Sequence, residues 1–144
     1  MKFNSLALLK LFLWFSCVFH LVVGIGLNVS PAFPQVMAGY YGAVVDFTPQ
    51  FLYILKPLGA FMIMVGLVVM AAARDPLNNA AIVYSLVALL AIRGLQRFVF
   101  QESIVGDLAI EGARNNVNGV VFLALAATFA ILFKLASNDR SRLV

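Results

Sequence analysis

Charged residues are scarce in this sequence of 144 residues. Asp, Glu, Lys and Arg together make up 11% of it, whereas a water-soluble domain carries about 25%. Hydrophobic residues make up 63%. So few polar side chains cannot cover the surface of a soluble particle, and the composition therefore excludes a soluble enzyme, a disordered regulator and a nucleic-acid-binding protein. We expect lipid to be the solvent for most of the chain.

Cysteine and histidine are also nearly absent. The one cysteine, Cys17, excludes an internal disulfide and a Cys-x-x-Cys metal or redox pair. The one histidine, His20, excludes a b-type cytochrome held by this chain alone, because such a haem needs two imidazoles. No nucleophile-elbow, Walker or His-Glu-x-x-His motif occurs. The sequence therefore predicts no enzyme activity, no metal site and no redox cofactor of its own.

Four apolar stretches are long enough to cross a bilayer, which takes roughly 20 residues per helix. They cover about residues 6–27, 51–73, 80–100 and 117–136. We expect one domain over 1–144: an all-α, integral-membrane four-helix bundle. The first stretch is expected to be a retained helix rather than a signal peptide, because Lys10 interrupts it and no small-x-small cleavage site follows.

Local patterns predict where these helices begin and where they pack. Thr48-Pro49 and Asp75-Pro76 each place a capping oxygen before a proline that suits the first helical position. Asn115 and Asn116 are the corresponding candidates for the fourth helix. Small residues favour close approach of helices, and the sequence offers them at Gly24, Gly59, Gly66 and Gly94.

The basic residues are distributed unevenly between the two sides. The N-terminal end, the short second connection and the C-terminal tail hold most of them, namely Lys2, Lys10, Arg74, Lys134, Arg140 and Arg142. The other two connections carry mainly acidic residues: Asp46, Glu102, Asp107 and Glu111. The positive-inside rule therefore predicts that both termini face the cytoplasm.

The two longer connections have features suited to the membrane surface. Residues 28–50 contain three prolines and several aromatic side chains, a composition typical of the headgroup region. Residues 102–114 place Ile104, Val105 and Leu108 on one side of a helical projection. We expect this segment to lie flat on the outer membrane surface as a short amphipathic helix.

Ionisable side chains within spanning helices are the candidates for function, because they cost several kcal/mol unless they pair or reach water. His20, Lys56, Arg93 and Arg97 all lie within roughly 10 Å of the outer ends of their helices, at about 1.5 Å per residue. With Gln96 they form the candidate binding site. Asp46, Glu102 and Asp107 are on the same side and are candidate ion-pair partners.

Three interpretations of these residues remain open. The cations can extend to the outer headgroups, they can line a pocket for an anionic or polar headgroup, or they can contact another subunit. The pocket would take a lipid, a quinone ring or a carboxylated small molecule. His20 is either a hydrogen-bonded packing residue or the axial ligand of a single pigment.

Several short motifs resemble a known group of proteins. They are His-Leu-Val-Val-Gly at 20–24, Pro-Leu-Gly-Ala-Phe at 57–61, Ala-Arg-Asp-Pro at 73–76 and Arg-Gly-Leu-Gln-Arg at 93–97. Together with four short spans, they resemble the small bacterial four-span proteins of the BphX-like and DoxX-like kind. The resemblance implies a membrane protein of unknown function, in some cases the membrane subunit of an oxidative or electron-transfer enzyme.

The preferred interpretation is an accessory subunit of a larger bacterial inner-membrane complex, packing its helices and bound lipid or pigment against a partner. The alternative is a stand-alone binder or transporter of a hydrophobic or anionic small molecule. A membrane oxidoreductase acting on quinone is weaker, because the chain has no redox centre of its own.

The topology prediction can be tested by cysteine labelling in intact cells, in a variant that lacks Cys17. A cysteine at Asn138 should be protected from a membrane-impermeant reagent, and a cysteine at Gly39 should be labelled. Labelling at Asn138 with protection at Gly39 would reverse the orientation.

Overall fold

The computed structural model describes residues 4–141, and the regular elements of this part of the chain are all helices, without strands. Its helices are α1 (Ser5–Val29), α2 (Phe33–Tyr41), α3 (Pro49–Arg74), α4 (Ala80–Val99), α5 (Gln101–Asp107) and α6 (Gly112–Ser141). The four long ones, α1, α3, α4 and α6, are long and apolar enough to cross a membrane. The predicted all-α four-helix bundle is thus confirmed, although α6 extends further at both ends than the predicted 117–136.

The four long helices pack as two close pairs. α1 packs along α3, and α4 packs along α6. The pairs are joined mainly between α1 and α6, where Phe12 and Phe129 meet edge to face with ring centroids 6.0 Å apart. α3 and α4 touch less extensively, and an open apolar groove of about 200 Å³ lies between them.

Glycines determine how closely each pair packs. A Cβ atom at Gly24 on α1 would lie 2.6 Å from the carbonyl oxygen of Gly59 on α3, and one at Gly94 on α4 would lie 3.1 Å from that of Gly119 on α6. Gly66 packs against Leu21 in the same way. The small residues identified in the sequence therefore lie at the helix contacts, where they let backbones approach.

Both described ends of the chain lie at the same end of the bundle. The Ser5 hydroxyl donates a hydrogen bond to the Asp139 carboxylate at 2.6 Å, and Arg140 donates to Asn78 in the α3–α4 turn at 3.4 Å. We call this the terminal end, and the opposite end, which carries α2 and α5, the loop end. The largest buried apolar side chains cluster in the terminal half, among them Leu9, Leu13, Val69, Val83 and Phe133.

The helix starts differ from the predictions in two of three cases. Thr48 caps α3 as predicted, its hydroxyl accepting from the Phe51 N–H at 3.2 Å. Asp75 does not cap the third spanning helix: it ends α3, its carboxylate accepts from Asn78, and α4 begins after Asn79. Asn115 is likewise not a cap, because α6 begins a turn earlier.

The two longer connections differ from the predictions in opposite ways. The first contains a helix, and the second is divided between two helices. The first contains α2, which ends at Gly42 in the left-handed conformation with φ of 73°. The prediction of one amphipathic helix over 102–114 is wrong. α5 ends at Asp107, Ala109 adopts φ of 50°, and Ile110, at 2% exposed, anchors the turn before α6.

Replacing Gly24 with leucine should destabilise the bundle by at least about 1–3 kcal/mol, the usual range for overpacking. The added atoms would meet the backbone of Gly59 and Ile63, which cannot move as a flexible side chain can. Thermal unfolding in detergent would measure the loss.

Gly39→Leu is the matched control, because a Cβ there meets nothing within 4 Å. Equal melting temperatures for the two variants would contradict the close α1–α3 contact.

Candidate functional site

The five predicted site residues lie in three places in the loop half of the bundle. His20 is buried on α1. Arg93, Gln96 and Arg97 lie on α4, beside α6. Lys56 on α3 lines a cavity formed with the C-terminal end of α1 and the start of α2. The sequence grouped these residues by depth alone, and the packing of the helices separates them laterally.

Contacts between helices also give the relative depths. Leu21 packs against Gly66, so His20 lies at about the level of Gly66 on α3. Lys56 is ten residues before Gly66 and therefore roughly 15 Å nearer the loop end, at 1.5 Å per residue. On the other side, the Arg93 guanidinium lies 5.1 Å from the centroid of the Phe122 ring.

Arg93 shares the level of His20. The Phe12–Phe129 contact aligns the antiparallel helices α1 and α6, which places His20 opposite about residue 121 or 122 of α6. Arg93, which lies over Phe122, is therefore at the same depth as His20, whereas Lys56 is not.

His20 is held by its own helix. The side chain is 6% exposed, and its Nδ1 lies 2.7 Å from the carbonyl oxygen of Ser16. Because a carbonyl only accepts, Nδ1 carries the proton and Nε2 is left with the lone pair. The ring also meets Phe19 edge to face. Nε2 is the nitrogen that could ligate a pigment, but a side chain this buried leaves little room beside it for a planar macrocycle.

Arg97 is held by an amide and an aromatic ring. Its Nη1 donates to Oδ1 of Asn115 at 3.2 Å, and Nδ2 of Asn115 donates to the Arg97 carbonyl oxygen at 2.7 Å. The guanidinium lies 5.3 Å from the centroid of the Tyr41 ring. Asn115 is fully buried, so this pair of hydrogen bonds joins α4 and α6 away from water.

The predicted acidic partners lie elsewhere. Asp46, Glu102 and Asp107 are all exposed, and the side-chain hydrogen bonds between residues 4 and 141 include none donated by Arg93, Arg97 or Lys56 to these carboxylates. Asn115 and Tyr41 were missed as site residues. Asn115 lies just before the fourth apolar stretch, and for that reason it is interpreted from the sequence as a helix cap.

The connections at the loop end cover the Arg97–Asn115 pair. Gly42, which ends α2, lies directly against the Arg114 side chain, leaving no room for a Cβ. The Val44 N–H donates to the Leu108 carbonyl oxygen at 2.9 Å, joining the α2–α3 connection to the α5–α6 turn. Together with the Tyr41 ring over Arg97, these contacts hold the α2–α3 connection and the α5–α6 turn against the loop ends of α4 and α6.

Arg93 and Gln96 are different, because both are exposed. They are three residues apart and share one face of α4, where Ile92 and Leu95 are also exposed. Arg93 lies six residues before the end of α4, about 9 Å along the helix. The bundle thus presents a guanidinium and an amide on an otherwise apolar surface of α4.

Lys56 lines a cavity of about 370 Å³ that is open at the loop end. The C-terminal residues of α1, the start of α2 and the first two turns of α3 surround it, with polar groups from Asn28, Ser30 and Tyr53. Within residues 4–141, no three His, Cys, Asp or Glu side chains lie together as metal ligands do.

Comparison of the chain with family models, curated proteins and solved structures finds no match. The resemblance to the BphX-like and DoxX-like proteins stays a prediction.

Asn115→Leu should lower stability by about 1–3 kcal/mol, because it leaves the Arg97 carbonyl and guanidinium without their buried partner. Unfolding in detergent would measure this, and hydrogen exchange should show faster opening of the loop-end turns of α4 and α6. Asn116→Leu is the control, since Asn116 is exposed on the same helix. Equal stabilities of the two variants would show that the Arg97–Asn115 pair contributes nothing.

Proposed function

We propose that this protein is a non-catalytic accessory subunit of a larger complex in a bacterial inner membrane, and that α4 docks on a partner through Arg93 and Gln96. The observation that carries the proposal is the exposure of these two side chains on an apolar face of α4, where Arg93 lies about 9 Å from the end of the helix. A guanidinium facing lipid at this position costs several kcal/mol. A partner helix that offers a carboxylate or backbone oxygens would remove that penalty.

The surroundings of Arg93 favour a partner over an internal role. The face of Phe122 supports the guanidinium from α6 at 5.1 Å, which orients it without using its five N–H donors. Arg97, one turn away, donates a hydrogen bond to Asn115 and lies over the Tyr41 ring. Two arginines on one helix therefore have different roles: Arg97 joins α4 to α6, and Arg93 remains free to bind.

A neighbouring asparagine supports the same surface. Asn118 lies one turn before Phe122 on α6, and its Nδ2 atom is buried without a hydrogen-bond partner among the described residues. Buried amide donors are normally paired. Because Nδ2 is buried, the Asn118 side chain would have to turn outward before a partner's oxygen could accept from it.

The accessory role follows from how little of the chain lies outside the spanning helices. The connections are short, and their structured parts cover the bundle itself. The complex would supply the energy-transducing, electron-transfer or oxidative chemistry, and this subunit would pack apolar helix faces against it. Lipid or pigment held between the two is part of the same proposal.

Purification in a mild detergent from its own membrane should recover the protein with larger polypeptides in fixed stoichiometry. Arg93→Leu should reduce that recovery more than tenfold, the scale expected when one member of a buried charged pair is removed. Arg74→Leu is the control, because Arg74 is an exposed arginine at the terminal end. A monodisperse species free of other polypeptides, from unmutated protein, would overturn the proposal.

A further inference from the structure

The Lys56 cavity is chemically distinct from the Arg93 surface and opens at the opposite helix pair. Its ammonium-bearing side chain is exposed, and the lining also contains Ser30 and Tyr53, each with a hydroxyl group. No Asp or Glu is among the described lining residues. The cavity therefore offers a positive charge and hydroxyl donors with no carboxylate to neutralise them, which suits an anion.

Most of the remaining lining is apolar, which suits an anion that is part of an amphiphile. Leu27, Pro31, Pro34 and Leu52 form much of the wall. From the cavity toward the middle of the bundle, α3 presents the exposed side chains of Ala60, Phe61 and Met64. An acyl chain lying along this face would continue directly from a headgroup beside Lys56.

The depth of the cavity fits the boundary between headgroups and hydrocarbon. Lys56 lies roughly 15 Å nearer the loop end than His20 and Arg93, at 1.5 Å per residue, and its long side chain can extend further in that direction. The N-terminus of α3 adds little positive charge to the cavity, because the Thr48 hydroxyl already accepts from the Phe51 N–H there. The positive charge in the cavity thus comes from Lys56.

Two features near Lys56 leave hydrogen-bond acceptors available in the cavity. Pro57 lies within α3 and has no N–H, so the Tyr53 carbonyl has no helical donor four residues on. The Asn28 side chain donates to the Gly24 carbonyl at 2.9 Å, which fixes it between α1 and α3 and leaves its Oδ1 as an acceptor. A headgroup with hydroxyl groups beside its phosphate would find acceptors here as well as the ammonium.

We propose that the cavity lined by Lys56, Ser30 and Tyr53 binds the phosphodiester headgroup of an anionic membrane lipid, with an acyl chain along the exposed face of α3. This site is independent of the proposed partner surface, because it lies on α1, α2 and α3 rather than on α4.

Native mass spectrometry of the detergent-purified protein tests the site with two lipids of matched chain length. Phosphatidylglycerol should be retained in preference to phosphatidylcholine. Lys56→Gln should reduce phosphatidylglycerol retention by more than about tenfold, the scale of a hydrogen bond to a charged group. Lys56→Arg should restore it, since the positive charge is kept.

Lys134→Gln is the matched control, because Lys134 is an exposed lysine of α6 toward the terminal end. It should leave retention unchanged, and circular dichroism should show unaltered melting of Lys56→Gln without lipid. Equal retention of the two lipids, an equal loss in Lys134→Gln, or full retention in Lys56→Gln would each overturn the proposal. Displacement of the lipid by millimolar inorganic phosphate would assign the cavity to free phosphate instead and equally overturn it. None of these readings depends on a protein partner.

Discussion

Close contact between helix backbones is the constraint on which the rest of this bundle depends. Within a bilayer no hydrophobic force drives helices together, so packing and hydrogen bonds must do it. Gly24 against Gly59 and Gly94 against Gly119 bring α1 to α3 and α4 to α6 with little between them but backbone. Each pair then behaves as a unit, and side chains such as Phe12 and Phe129 fill the space between the units.

This arrangement separates the two halves of the bundle. The terminal half is filled by apolar side chains that pack from all four long helices. The loop half contains polar residues, and two of them are satisfied within their own helix, His20 by Ser16 and Asn28 by Gly24. The Arg97–Asn115 pair differs from these, because it joins two helices through buried hydrogen bonds.

The two helix pairs consequently differ at the loop end. The α4–α6 side is closed by the Arg97–Asn115 pair and by the connections above it, and Arg93 and Gln96 stay exposed on the surface of α4. The α1–α3 side is open, since α1 ends before the first turns of α3 and α2 leaves a cavity beside Lys56. One chain therefore presents a guanidinium on one flank and an ammonium in a cavity on the other.

Periodicity and local chemistry predicted much of the fold. The four spans, the glycine contacts and the Thr48 cap could be predicted because each depends on residues close in sequence or on lipid as solvent. The roles of Asp75 and Asn115 could not. An asparagine or aspartate near a helix start caps or packs according to what a distant segment offers it, and here Asn115 meets Arg97.

For the candidate site, too, some features follow from the sequence and others from the tertiary structure. The sequence by itself determined that this chain has four apolar helices and that its few intramembrane polar residues lie toward one end, because hydropathy and a helical rise act along the chain. Only the tertiary structure decided which of those residues meet. Depth is set by position within a helix, whereas lateral position is set by which helix faces approach one another, and that depends on Gly24, Gly59, Gly94 and Gly119 acting together.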